Sequence, residues 1–246
     1  MSGHSKFANI KHKKAKGDAA KAKIFTKIGR EIAVAVKQGG ADPQLNAKLY
    51  DVMQKARQNN MPNDNVKNAI KKASGEIGGA NYENLLYEGY GVGGTAVIVE
   101  CLTDNKNRTA GEVRCAFDKY GGSMGSNGCV SYMFDKKGLI VLEKTISFDD
   151  IMELAIEGGA DDVTDEEECF EVLCDPSEFS SLTKFFEANS CVILQSSIEW
   201  LPQNTVELEE KLMPTFEKMI DKLEESDDVQ NVYHNCSNFG GEEEEE

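Results

Sequence analysis

The sequence predicts an α+β protein: a basic N-terminal three-helix bundle followed by two α+β domains, the last ferredoxin-like and inserted into the middle one. Three observations lead there. Apolar residues recur at spacings of three and four up to Gly75, short β-branched runs replace them afterwards, and the sign of the charge changes at the same place. From Met1 to Gly75 there are 16 Lys/Arg against five Asp/Glu. The other 171 residues carry 11 against 38, so a chain of net charge −16 is +11 at one end and −27 over the remainder. Such a partition points to a polyanion held by the basic end, with the acidic remainder repelling it elsewhere.

The first helix is marked by Ile24, Ile28, Ile32, Ala35 and Val36, and ends at Gly39-Gly40. In the second, Asp42 is the expected N-cap with Pro43 in the first turn, and Leu45, Leu49, Met53 and Ala56 form the buried stripe before the break at Asn59-Asn60-Met61-Pro62. A third runs from about Asn63 through Val66, Ile70 and Ala73 to Gly75. Beyond it, TAVIVECLTD has strand length and composition, and helical spacing returns from Arg108 to Tyr120 through Val113 and Phe117. A strand CVSYMF is expected after the glycine-rich loop at Gly121, Gly122, Gly125 and Gly128.

From Gly138 the order is strand GLIVLE, a helix through Ile151 and Ala155, a strand at Asp162 to Thr164, strand CFEVLCD, a helix through Leu182 and Phe186, and strand CVILQSSIEW. That βαββαβ order is the ferredoxin-like motif. A helix with Leu212, Phe216, Ile220 and Leu223, and a strand VQNVYHN, then need a sheet to join, and the one begun at TAVIVECLTD is available. Pro214 belongs in that helix's first turn or kinks it. The expected domains are therefore 1–75, basic and helical; 76–134 with 203–238, the middle domain; 135–202, the insertion; and 239–246, a disordered acidic tail ending GGEEEEE.

At 246 residues and 40% hydrophobic the chain has ample material for buried cores. No run approaches the ~18 apolar residues of a membrane span, and the first residues lack the apolar stretch of a secretory signal, so a cytoplasmic protein without a membrane partner is expected. Seven cysteines, an odd number without a C-x-x-C pair, suit reduced, buried thiols.

The chemistry is concentrated in the arm and first helix. Lys6, Lys11, Lys13, Lys14, Lys16, Lys21, Lys23, Lys27 and Arg30 face one acid, Asp18. Lysines on flexible stems neutralise phosphates and release condensed counterions without reading a sequence. Phe7 is a candidate base stacker, though an isolated aromatic is more often core, and His4, Asn9 and His12 are candidates for hydrogen bonds to backbone or base edges. In GYGVGG the glycines Gly89, Gly91 and Gly94 have G-x-G-x-x-G spacing but precede a strand, which suits a hairpin turn and not a dinucleotide site. TDNKNRTAGEVR offers Thr103, Asp104 or Asn107 as a helix cap, with Arg108 and Arg114 in surface ion pairs or, as the alternative, on a phosphate. Two of the three histidines lie in the arm, no catalytic signature exists, and no metal or cofactor is expected, so an enzyme is the weaker class.

Taken together, GHSKFANIKHKKAK, IFTKIGREI, GGADP, NNMPNDNVKNAIKKASG, YEGYGVGG, VECLTDNKNRT, EVRCAFDKYGG and DDVQNVYHN resemble, in order and spacing, the YebC/PmpR family, whose mitochondrial relatives are translational activators of cytochrome oxidase. The similarity runs from about Ser2 to Asn235, with Phe7 where the family usually has Trp and Val92 where YEGYGPGG is usual. The resemblance implies a non-enzymatic cytoplasmic protein of three domains, the third inserted in the second. Some members are described as DNA-binding transcriptional regulators and others as ribosome-associated factors that aid translation, including through proline-rich stretches. The function expected is thus a nucleic-acid-binding regulator of gene expression, most conventionally a DNA-binding transcriptional regulator. A translation factor that holds ribosomal RNA or tRNA, with the ribosome as partner, is the runner-up, and a small-molecule-binding or catalytic interdomain cleft is the alternative from another class.

Overall fold

A computed structural model of the chain describes residues 18–75 and 81–240, with side chains from Lys21. The chain divides into two compact units, residues 1–75 with 136–200 and residues 76–135 with 201–246.

The first unit begins with α1 (Asp18–Gly39), α2 (Ala47–Gln58) and α3 (Asn63–Ser74). Their apolar stripes close on one core: Ile28, Ile32, Ala35 and Val36 of α1 meet Leu49, Val52 and Ala56 of α2, and Met61 and Val66 seal the third side. α1 ends where expected, with Gly40 at φ +86, a left-handed conformation that glycine adopts without a Cβ clash. The start of α2 differs from the sequence expectation. Asn46 is the cap, its side-chain carbonyl oxygen accepting from Leu49 N at 3.1 Å. Asp42 instead accepts from Gln44 N at 2.9 Å and closes a local turn, and Leu45 is 85% exposed, outside the core. Asn46 prevails because it is buried and its amide also donates to the carbonyls of Ala35 and Gly40, both at 2.8 Å, so one side chain serves the end of α1 and the start of α2.

The same unit holds β4 (Phe134–Glu143), α5 (Phe148–Gly158), β5 (Asp162–Asp165), β6 (Cys169–Cys174), α6 (Phe179–Ala188) and β7 (Ile193–Pro202). Their sheet has the order β5-β6-β4-β7, with β6 antiparallel to both β4 and β5, the ferredoxin-like arrangement expected from βαββαβ. Ile140, Leu142, Phe170 and Val172 of the strands pack with Ile151 of α5 and Leu182 and Phe186 of α6.

The second unit is built on β1 (Glu83–Tyr90), β2 (Ala96–Thr103), β3 (Ser123–Met124) and β8 (Val229–His234), in the order β3-β1-β2-β8. β8 lies antiparallel to β2, so the last strand does return to the sheet begun by TAVIVECLTD. α4 (Lys106–Lys119) and α7 (Met213–Glu224) bury Val113, Phe117, Phe216, Met219 and Ile220 against Val97, Val99 and Val232 of the sheet. Pro214 sits in the first turn of α7 and kinks nothing. Phe239 packs edge-on against Phe216, ring centroids 5.7 Å apart. The acidic run at residues 241–246 lies outside the described residues.

Three sequence expectations fail in this unit. β1 has no counterpart among the expected elements, because ENLLYEGY mixes strand formers with Glu, Asn and Gly and acquires its conformation from the eight-residue pairing with β2. α4 is capped by Asn105, whose side chain accepts from Arg108 N at 3.1 Å, and not by Thr103, Asp104 or Asn107. CVSYMF is not one strand: Ser131–Met133 form a 3-10 turn and β4 starts at Phe134. The reason is Glu88. Its carboxylate, in a residue only 2% exposed, accepts from the backbone N–H groups of Gly128 (2.7 Å), Val130 (3.0 Å) and Ser131 (2.8 Å), which removes those donors from any ladder.

Candidate nucleic-acid interface

Of the residues predicted to hold nucleic acid, Lys6, Phe7, Asn9, Lys11, His12, Lys13, Lys14 and Lys16, together with His4, lie outside the described residues. Lys21, Lys23, Lys27 and Arg30 lie on α1, the first two exposed and the others half-buried. Spacings of four and three place Lys23, Lys27 and Arg30 on one line along the helix, beside the apolar stripe that faces α2 and α3, with Lys21 off that line. The structure thus brings three of these four side chains onto one edge of the bundle. It adds cations beyond the predicted set, which stops at Arg30: Lys67, Lys71 and Lys72 are exposed on α3. Their signal in the sequence is K-x-x-x-K-K in a helix whose apolar residues all point the other way.

The outer face of α2 is already engaged. Tyr50 and Gln54 both donate to Glu187 of α6, the second at 2.6 Å. Ser180 donates to Asp51 at 2.6 Å, Gln58 donates to Ser196 of β7 at 2.9 Å, and Lys184 Nζ lies 4.6 Å from the Tyr50 ring centroid. Burial raises the Asp51 carboxyl above its usual range, opposed by the Ser180 hydroxyl and the Lys184 charge. A cavity of about 370 Å³ beside this seam is lined by polar side chains including Gln54, Arg57, Gln58, Thr183 and Glu187. It contains no pair of carboxylates and no histidine that would divide acid from base roles.

The other motifs resolve as structure. Arg108 is held by Asp228 and Asp104, its Nη2 2.7 Å from the first and 2.9 Å from the second. These hydrogen bonds, that to Asp228 foremost, raise the guanidinium pKa above its ordinary value. Thr103 and Thr109 also donate to Asp228 Oδ2, at 3.0 and 2.8 Å, so the TDNKNR segment ties β2, α4 and the start of β8 together. GYGVGG is a packing turn between β1 and β2. Gly93 has φ +70, and a Cβ there would stand 2.3 Å from Leu208 Cδ2, so this side of the turn packs directly on Leu208. His234 packs edge-on to the rings of Phe216 and Phe239, centroids 5.2 and 4.5 Å away. Burial pushes the Cys169 and Cys174 thiols up to about 11 and about 12, far from nucleophilic use. Among the described residues no three His, Cys, Asp or Glu gather as a metal site, and no helix is long and apolar enough to cross a membrane.

Comparison with known proteins agrees with this anatomy. Residues 5–76 match the family model described as the TACO1/YebC protein N-terminal domain, and residues 82–236 match the TACO1/YebC second and third domain. A probable transcriptional regulatory protein of Acetivibrio thermocellus is 56% identical over 238 residues, 96% of this chain and 98% of that protein. One of the same name from Thermoanaerobacter pseudethanolicus is 54% identical over 237 residues, 96% of each chain. The crystal structure of a conserved hypothetical protein from Aquifex aeolicus superposes with a TM-score of 0.79 at 42% identity, covering 90% of this chain and 92% of that one. With both family segments matched in order and relatives aligned over nearly the full length, this chain belongs to the TACO1/YebC family.

Proposed function

We propose that this protein is a nucleic-acid-binding regulator of gene expression, most conventionally a DNA-binding transcriptional regulator, that acts by contact and not by catalysis. It works as a basic helical domain (1–75), a middle domain (76–134 with 203–238) and an insertion (135–202). The observation that carries this reading is the charge partition, +11 over residues 1–75 against −27 over the rest, which confines a polyanion to the arm and the first helices. The names of the relatives, probable transcriptional regulatory proteins, support the same class. Changing Lys11, Lys13, Lys14 and Lys16 together to Ala in the full chain weakens binding to all sequences alike. It also flattens the dependence of log affinity on log salt by ~0.7–0.9 for each phosphate no longer neutralised. An affinity loss at constant salt slope, with altered circular dichroism, would mean that the lysines act through folding.

One observation favours a translation factor that holds ribosomal RNA or tRNA. The arm and first helix offer eight lysines and one arginine up to Arg30, a set suited to backbones and poor in the bidentate side chains that read base edges. Specific operators stand ~10³-fold or more above random DNA. Under the translational reading random DNA displaces a proposed promoter readily at physiological salt, and the protein co-sediments with ribosomes until the four lysines are changed. A promoter footprint that survives a thousandfold excess of random DNA, with no ribosome association, restores the transcriptional reading.

A further inference from the structure

We propose that the solvent face of α3 is a second phosphate-binding strip, in which Lys67, Lys71 and Lys72 lie against the sugar-phosphate backbone of a nucleic acid and the exposed Asn68 amide reaches between them. This rests on the nucleic-acid reading above and assigns it an element that the arm does not contain.

The helix turns Val66, Ala69, Ile70 and Ala73 toward the bundle core, so the opposite face carries Lys67, Asn68, Lys71 and Lys72. Lys67 and Lys71 are one turn apart, and Asn68 neighbours Lys71 and Lys72 at three and four residues. Several lysines elsewhere are ion-paired, Lys55 with Glu31, Lys137 with Asp161, Lys144 with Asp165 and Lys222 with Glu225, whereas α3 gathers three without such a partner on one face. Among the described residues no carboxylate pairs with Lys67, Lys71 or Lys72, although the chain has 43 Asp/Glu against 27 Lys/Arg. The helix dipole accounts for Lys71 and Lys72 in the last turn. It does not account for Lys67 in mid-helix, where a like charge four residues away disfavours the isolated helix. The only acid of α3, Asp64, stands three residues before Lys67 without an ion pair to it, and about two turns from Lys71 and Lys72. The neighbouring helix offers no equivalent surface, because Tyr50, Asp51, Gln54 and Gln58 of α2 are bonded to α6 and β7. A face that concentrates unpaired cations in an acidic chain is complementary to a polyanion.

The test uses the full chain, a random-sequence DNA duplex and an RNA hairpin of equal length, with affinity measured across a salt series. For Lys67→Ala/Lys71→Ala/Lys72→Ala the expected slope of log affinity on log salt falls by about 2–3 on whichever nucleic acid is engaged, and affinity at about 0.1 M salt falls by about two orders of magnitude. The Arg triple variant restores the slope. An equal-charge control, Lys144→Ala/Lys211→Ala/Lys222→Ala, removes lysines that are already ion-paired and leaves the slope unchanged. If the α3 variant keeps the wild-type slope and affinity on both ligands, the strip is overturned while the arm remains the contact. If the control lowers the slope as much as the α3 variant does, the effect is one of net charge and the strip is again overturned. If the wild-type chain binds neither ligand, the functional reading itself falls.

Discussion

Glu88→Gln is expected to destabilise the second unit by about 2–4 kcal/mol at neutral pH, the cost of orphaning a buried donor and turning an NH2 toward others. Three backbone donors, Gly128, Val130 and Ser131, converge on that carboxylate. Burial by itself would raise the carboxyl pKa, yet the three N–H bonds and the Ser131 hydroxyl outweigh it and hold the group below the usual glutamate range. The sign of the pH dependence follows. A carboxylate with a lowered folded pKa stabilises the fold fully above its unfolded pKa, ~4.3, and that contribution fades as pH falls through the lower folded value. The stability gap between wild type and Glu88→Gln should therefore be constant from about pH 7 to about 5 and close below about pH 4. A gap that widened on acidification, measured by urea denaturation at each pH, would contradict the assignment. Hydrogen exchange should place the loosening in residues 121–133, which contain no charged side chain to re-form the clasp.

Asp228→Ala carries a comparable effect by a different route. The aspartate side chain is 4% exposed and takes bonds from Thr103, Thr109 and Arg108. Its removal leaves the buried Thr103 hydroxyl without its acceptor and Arg108 without its closer carboxylate, while the Thr109 hydroxyl keeps the Asn105 carbonyl at 3.1 Å, and a loss of about 3 kcal/mol is expected. Adding Thr103→Val and Thr109→Val to Asp228→Ala should recover part of that loss, because removing both partners of a buried bond costs less than removing one. A triple variant less stable than Asp228→Ala would show that the threonines have a further structural role. Nucleic-acid affinity, measured where both proteins are folded, should be unchanged in Asp228→Ala. A weaker affinity there would make Arg108 a phosphate ligand after all.

Much of this was legible in the chain. Apolar period located all seven helices of the described residues, α1 to α7, and most strands, because a helix or strand must turn one face to a core and the spacing of that face is written in consecutive residues. The charge partition was equally plain, since net charge needs no fold to be counted. The misreadings share a cause. Asp42 and Asn46 are both good caps by type, and the choice went to Asn46 because Ala35, eleven residues back, offered a buried carbonyl to its amide. CVSYMF reads as a strand until Glu88, more than forty residues earlier, takes its N–H groups.

By itself, then, the sequence determined the α+β class, the order and type of most elements, and the end of the molecule whose charge suits a polyanion. Periodicity and charge are properties of neighbouring residues and survive any arrangement of the parts. Only the tertiary structure decided which polar groups are buried and which remain available. It tied Arg108 to Asp228 across 120 residues, docked α2 on α6 and β7 through Glu187 and Ser196, and left the lysines of α3 uncovered. Whether a charged side chain is spent inside the protein or kept for a partner depends on what packs opposite it, and no local pattern contains that.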